Sequence, residues 1–146
     1  MSFRNFISEL KAKREELELT REQDALRVAF DLLAQVKLRI QTRGEDFNED
    51  TFSPYTPEYK KTRAKLGYQS EYVDLTRSGE LWANVKPTVE RRGADFVAIE
   101  IGAQTPGNEA KVRGFVRKRP NPIRPSLKEI SRANIAYSQI RSNRLK

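Results

Sequence analysis

"TREQDALRVAFDLLAQVKLRIQTRG", residues 20–44, is the stretch on which the fold turns. Leu26, Ala29, Leu33, Val36 and Ile40 recur at helical spacing, which lines them up on one face. Thr20 followed by Gln23 has the form of a capping box, and Gly44 after Arg43 has the form of a stop. The pattern predicts an amphipathic helix over 20–43, roughly 34 Å long at about 1.5 Å per residue. Ahead of it, Phe3, Phe6, Ile7 and Leu10 form a shorter apolar stripe followed by the charged run "KAKREELE". Residues 3–18 are therefore expected as a helix that docks by its first half, or as an arm, with 1–19 marked off as the N-terminal helical arm.

Downstream of Gly44 comes the acidic loop "GEDFNEDTFSPY". Its Asp46, Asn48 and Asp50 have the spacing that starts a calcium loop. Thr51, however, stands where the sharp turn needs Gly, and Pro57 where the bidentate Glu belongs, so an acidic surface loop is the better reading. "FSPYTPEYKKTRAKLG", residues 52–67, then supplies Thr56 as a cap, Pro57 at the first helical position and Glu58 in the first turn. A short helix ending at Gly67 follows. Pro54 holds Ser53 extended, so Phe52, Tyr55 and Tyr59 are expected to pack as a rigid aromatic cluster against the core. Lys60, Lys61, Arg63 and Lys65 are expected on the remaining faces, where a solvated surface is favoured over a phosphate contact.

"VDLTRSGELWANV" offers Ser78 as a cap for a brief helical turn through Leu81 and Trp82. The runs "VKPTVERR" and "DFVAIEIG" alternate as strands do, with Val97, Ile99 and Ile101 on one face, and the pair reads as an antiparallel hairpin turning at Gly93. Pro87 marks its own strand as an edge or a late entry. Residues 104–125 contain four prolines and two glycines and read as a Pro-rich basic loop. Finally "SLKE" is a second capping box, opening a helix over 126–146 with Leu127, Ile130, Ala133, Tyr137 and Ile140 on one stripe. No internal repeat is present.

These elements describe one α+β domain spanning 1–146: a long N-terminal helix packed on a small antiparallel sheet, with short inserted helices and a C-terminal helix. The 146 residues suffice for a chain that buries roughly 70% of its unfolded surface. A hydrophobic content of 37% against 33% charged is lean, which suggests extended faces that order against partners.

Composition also narrows the chemistry. The chain has no cysteine and no histidine, which removes disulfides, thiolate nucleophiles, zinc–thiolate sites and the commonest general base. Acid pairs such as Asp46 with Asp50, or Glu45 with Glu49, lie in a loop without the apolar surroundings that raise a carboxylate pKa. There is no glycine-rich phosphate loop and no nucleophile elbow. A non-enzymatic protein without cofactor or metal is expected. No apolar run approaches the roughly 20 residues of a membrane span, and the N-terminus is too charged for a signal peptide, so a cytosol-like compartment is expected.

Charge is unevenly placed. Residues 111–146 hold eleven Lys/Arg and one acid, Glu129, whereas residues 1–110 hold seventeen basic and nineteen acidic residues. The basic cluster Arg113, Arg117, Lys118, Arg119 and Arg124 suits either DNA phosphates or an acidic protein surface, and Phe115 offers one stacking group. No recognised nucleic-acid-binding motif accompanies them.

The stretches "FNEDTFSPYTPEYKKTRAKLG" and "YVDLTRSGELW" resemble the tail-completion, or virion morphogenesis, proteins of tailed bacteriophages. That family carries an amphipathic helix, a "PYS-P-x-Y" type segment, a basic helix, and an "L-T-x-T/S-G-x-L/M" segment ahead of a β-hairpin. The matching residues are Phe52, Pro54, Tyr55, Pro57 and Tyr59, then Leu75, Thr76, Ser78, Gly79 and Leu81. "RPNPIRPSLKEIS" is similar to the family's arginine–proline step into its last helix, and "NEDTF" departs from its usual Asp-Gly step. The likeness covers about residues 20–140. It implies a structural protein of the virion, assembled in the bacterial cytoplasm, at the head–tail junction or tail end. Its partners would be identical subunits in a ring, neighbouring connector or tail proteins, and DNA in the channel, with no membrane. The alternative is a basic nucleic-acid-binding protein unconnected with a virion.

Overall fold

The computed structural model describes residues 2–94, 96–117, 121 and 123–146. Helix α1 is one unbroken element, Phe3–Arg43, of 41 residues and about 60 Å. The capping box expected at Thr20 does not form. Its hydroxyl instead donates to the Glu16 carbonyl one turn back, at 2.8 Å, as a mid-helix threonine does. Ser2 is the cap in its place, accepting from the Asn5 amide at 3.3 Å. At the other end Gly44 takes φ 63° and donates to the Ile40 carbonyl at 2.9 Å. A Cβ there would meet the Tyr72 ring at 2.9 Å and the Val73 carbonyl at 3.0 Å, so both the turn and the packing require glycine.

Short helices α2 (Pro57–Lys65) and α3 (Glu80–Asn84) lead into strands β1 (Val85–Arg92) and β2 (Val97–Ala103). The strands pair antiparallel from Val85↔Ala103 to Arg92↔Val97, with an irregularity between Val89 and Arg91. In a two-stranded sheet both strands are edges, which is why Pro87 is tolerated opposite Ile101. The hairpin tip is pinned to α1. Arg21 donates to the Ala94 carbonyl at 2.6 Å, and Arg92 grips Glu22 at 2.6 and 3.0 Å.

The expected loop over 104–125 contains helix α4, Pro106–Val116, instead. Gly107 and Gly114 each weaken a helix by about 1 kcal/mol relative to alanine, which masks the pattern in the sequence. Packing overrides that preference: Val112 and Phe115 lie against the core, and buried Asn108 donates to the Thr105 hydroxyl at 2.9 Å. Helix α5, Leu127–Arg144, opens with the expected capping box, Ser126 and Glu129 satisfying each other's amides. Its stripe is only part-covered, since Leu127 and Ile130 are exposed.

The core gathers Leu33, Val36 and Ile40 of α1 with Phe52, Val73, Leu75, Leu81, Trp82, Val85 and Ile123. The fold is thus α+β, with α5 antiparallel along α1 and clamped at both ends. At one end Asp24 of α1 accepts from Arg141 at 2.8 Å and from Arg144 at 2.7 Å. At the other, Arg39 donates to both oxygens of Glu129 at 2.8 and 3.3 Å, and to the Glu45 and Arg124 carbonyls at 2.9 and 3.0 Å. Arg39 is 1% exposed and Glu129 5%. Removing one member leaves the other buried and unpaired, so Arg39→Ala should lose about 3–5 kcal/mol of unfolding free energy. A urea denaturation series on the two proteins checks this.

Candidate functional site

Both sequence stretches that carry the motif residues converge on a second buried arginine. Arg63 of α2 was expected on a solvated face, yet it is 2% exposed. It lies one turn after Tyr59, which brings the exposed tyrosine ring alongside the guanidinium. Arg63 donates to the Gln69 carbonyl at 2.7 Å, to the Thr76 carbonyl at 2.8 Å, and to the two oxygens of Asp74 at 3.0 and 3.3 Å. The rings of Tyr55, Tyr68 and Tyr59 stand 4.7, 5.6 and 5.9 Å from its guanidinium carbon. Flat cation and π-faces attract each other, and arginine alone among the basic side chains offers a planar fork to both partners.

Asp74 completes the hub. Besides Arg63 it accepts from the Tyr55 hydroxyl at 3.1 Å, the Thr76 amide at 3.0 Å and Gln69 Nε2 at 3.3 Å. Tyr55 also accepts from the Asp74 amide at 3.3 Å, so the two residues are held reciprocally. Burial, with the Asp74 charge next in importance, pushes the Tyr55 phenol up to about 12. Leu75 follows in a left-handed conformation, φ 54°, with its side chain buried. Such a backbone is costly for leucine and persists because Asp74 and Thr76 are fixed on either side of it.

The expected aromatic cluster forms in part: Phe52 is buried in the core and Tyr55 packs against that core, whereas Tyr59 stands exposed and meets Tyr55 edge to face with centroids 5.1 Å apart. Pro54 and Pro57 place those rings, Pro57 as the first residue of α2 behind the Thr56 cap. Gly79, at φ 79°, is the N-cap of α3, with Ser78 accepting from the Glu80 amide at 3.4 Å and Leu81 buried. Beside the hub an open cleft of about 410 Å³ is floored by Tyr55, Tyr59, Leu75 and Phe115 and edged by Arg77.

The basic cluster does not form one patch of equivalent side chains. Arg113 and Arg117 are exposed, on α4 and at its C-terminal end. Arg124 instead stacks on the Phe47 ring at 4.2 Å and lends its carbonyl to Arg39. Lys118 and Arg119 lie outside the described residues. Phe115 packs against the core rather than standing free for stacking. In the acidic loop, Asp46 Oδ1 accepts from the Asn48 and Asp50 amides at 2.8 and 3.1 Å, closing a turn on itself. Among the described residues no group of three or more acidic side chains is placed to hold a metal ion.

Comparison with protein-family models, curated proteins and solved structures finds no match to this chain. Function therefore rests on its own residues and geometry. The hub braces the chain, because each of its charged groups is taken up by partners within it.

Tyr55 supplies a direct test. Its folded pKa lies above the ordinary value of 10.0, so the folded state holds the proton more tightly. The resulting stability is complete below about pH 10 and is lost as pH rises toward 12. Ultraviolet titration of tyrosinate should show a phenol that ionises well above the ordinary value of 10.0, and Tyr55→Phe should delete that late step.

Proposed function

We propose that the protein is a non-enzymatic structural subunit of a tailed-bacteriophage virion, acting in tail completion or head–tail connection within a ring of identical subunits. The observation that carries this reading is the Arg63–Asp74 hub. Residues of both motif stretches, Tyr55 and Tyr59 from one and Leu75 and Thr76 from the other, meet there and are spent on fixing backbone. Motifs used for shape suit a part whose work is assembly. Three further features fit: a lean core, a 41-residue helix whose first turns stand exposed, and exposed arginines on and at the end of α4. In the virion, Arg113 and Arg117, with Lys118 and Arg119, would face an acidic neighbour or DNA phosphates, while Arg124 stays on the Phe47 ring.

Fractionating particles from the native source on a density gradient, followed by mass spectrometry, tests the reading. Co-migration with phage particles at fixed stoichiometry is expected. Recovery in soluble or nucleoprotein fractions alone would overturn it.

The exposed pair Arg113 and Arg117 keeps one competitor in view, a nucleic-acid binder unconnected with a virion. That reading requires duplex affinity falling with salt at a log–log slope near −0.9 per neutralised phosphate. Under it, Arg113→Ser with Arg117→Ser would flatten the slope. For the virion part held by protein contacts, the same double variant should lower incorporation into particles while leaving the circular-dichroism melt unchanged, because neither side chain supports the core.

A further inference from the structure

The first three turns of α1 carry an apolar face that none of the described residues covers. Phe3 is 76% exposed, Phe6 47% and Leu10 54%, with Ile7 beside them. Leu17 and Asp24 continue the same face at seven-residue spacing, and there α5 takes over. Arg141 donates to the Leu17 carbonyl and to the Thr20 hydroxyl, and Arg144 closes on Asp24. The stripe is thus the uncovered extension of the seam that α5 fills further along.

Its flanks identify the occupant. With Phe3 and Leu10 at the first core position of a seven-residue repeat and Phe6 at the second, Glu9 falls on one flank and Ile7 and Arg14 on the other. In a parallel pair of such helices, each flanking residue sits beside the opposite flank of its partner, five positions on. Glu9 then meets Arg14, the attraction that sets orientation in coiled coils. An antiparallel pair seated on the same three residues would set Phe3 against Leu10 and Glu9 near its partner's first turn, away from Arg14, and lose that attraction. Arg14 is free to exchange partners, because its side chain is 81% exposed and held only by Glu18 on its own helix at 3.2 Å.

We infer that Phe3–Arg14 is a self-association element, in which α1 of one copy packs in parallel and in register on α1 of a second copy. Phe3, Phe6 and Leu10 form the contact, and Glu9–Arg14 pairs on its two sides fix the orientation. The inference stands on the stripe and its charges and does not depend on a virion role.

Sedimentation velocity of the full chain over a concentration series should show reversible self-association, which Phe6→Glu abolishes without changing the circular-dichroism melt. Phe3→Cys introduces the sole thiol of a cysteine-free chain. Under mild oxidation it should yield disulfide-linked dimers, because a parallel, in-register pair sets position 3 against itself. Glu9→Arg alone, or Arg14→Glu alone, should weaken association roughly two- to tenfold. The double variant Glu9→Arg/Arg14→Glu should recover it. A wild-type chain that stays monomeric into the hundreds of micromolar would overturn the inference. So would a Phe3→Cys chain that does not cross-link, or a double variant no tighter than the single ones.

Discussion

The contact between Arg39 and Glu129 is the constraint around which the rest is arranged. Two charges withdrawn from water cost several kcal/mol each unless nearly every donor and acceptor is matched. Here the matching comes from four parts of the chain. Glu129 caps α5 through the Ser126 amide while it receives Arg39, and Arg39 also takes the carbonyls of Glu45 and Arg124. The end of α1, the acidic loop, the approach to α5 and the first turn of α5 are thus tied at one point. An apolar contact could supply similar stability, but it would tolerate sliding; a bidentate fork does not.

The same device recurs twice. Arg63 with Asp74 joins α2 to the segment before α3, and Asp24 with Arg141 and Arg144 closes the far end of the α1–α5 seam. The Arg144 hydrogen bond, aided by Arg141, outweighs burial and holds the Asp24 carboxyl below its ordinary value of 3.8. That stability is fully present above this value and is lost as pH falls through the lowered one. A chain with 37% hydrophobic residues has a small apolar core, and directional charge contacts brace what the core leaves loose.

This bracing changes what the basic C-terminal third means. Arg141 and Arg144 are committed to Asp24, Lys128 to Glu49 at 2.5 Å, Lys111 to Glu80 at 3.3 Å, and Arg124 to the Phe47 ring. Much of the positive charge therefore serves to attach the C-terminal elements to the acidic first part of the chain. Arg113 and Arg117 remain exposed.

Periodicity and capping chemistry made the α+β class, the hairpin at Gly93, the short α2 and the Ser126–Glu129 box legible, because each depends on residues close together in the chain. The Tyr55–Tyr59 ring pair was legible for the same reason. Arg39 and Arg63 were not read as buried, although each carries a faint signal: Arg39 falls three residues after Val36 on the apolar face, and Arg63 four after Tyr59. Spacing can place an arginine on an inward face, but it cannot say whether a carboxylate waits there. Helix α4 and the joining of the arm to α1 were missed because glycine content and an apparent cap speak only for local preference. The sequence by itself determined where helices and strands are favoured and which faces are apolar. Tertiary structure alone decided which charges went inside, since burying an arginine is favourable only when distant segments bring its partners to it.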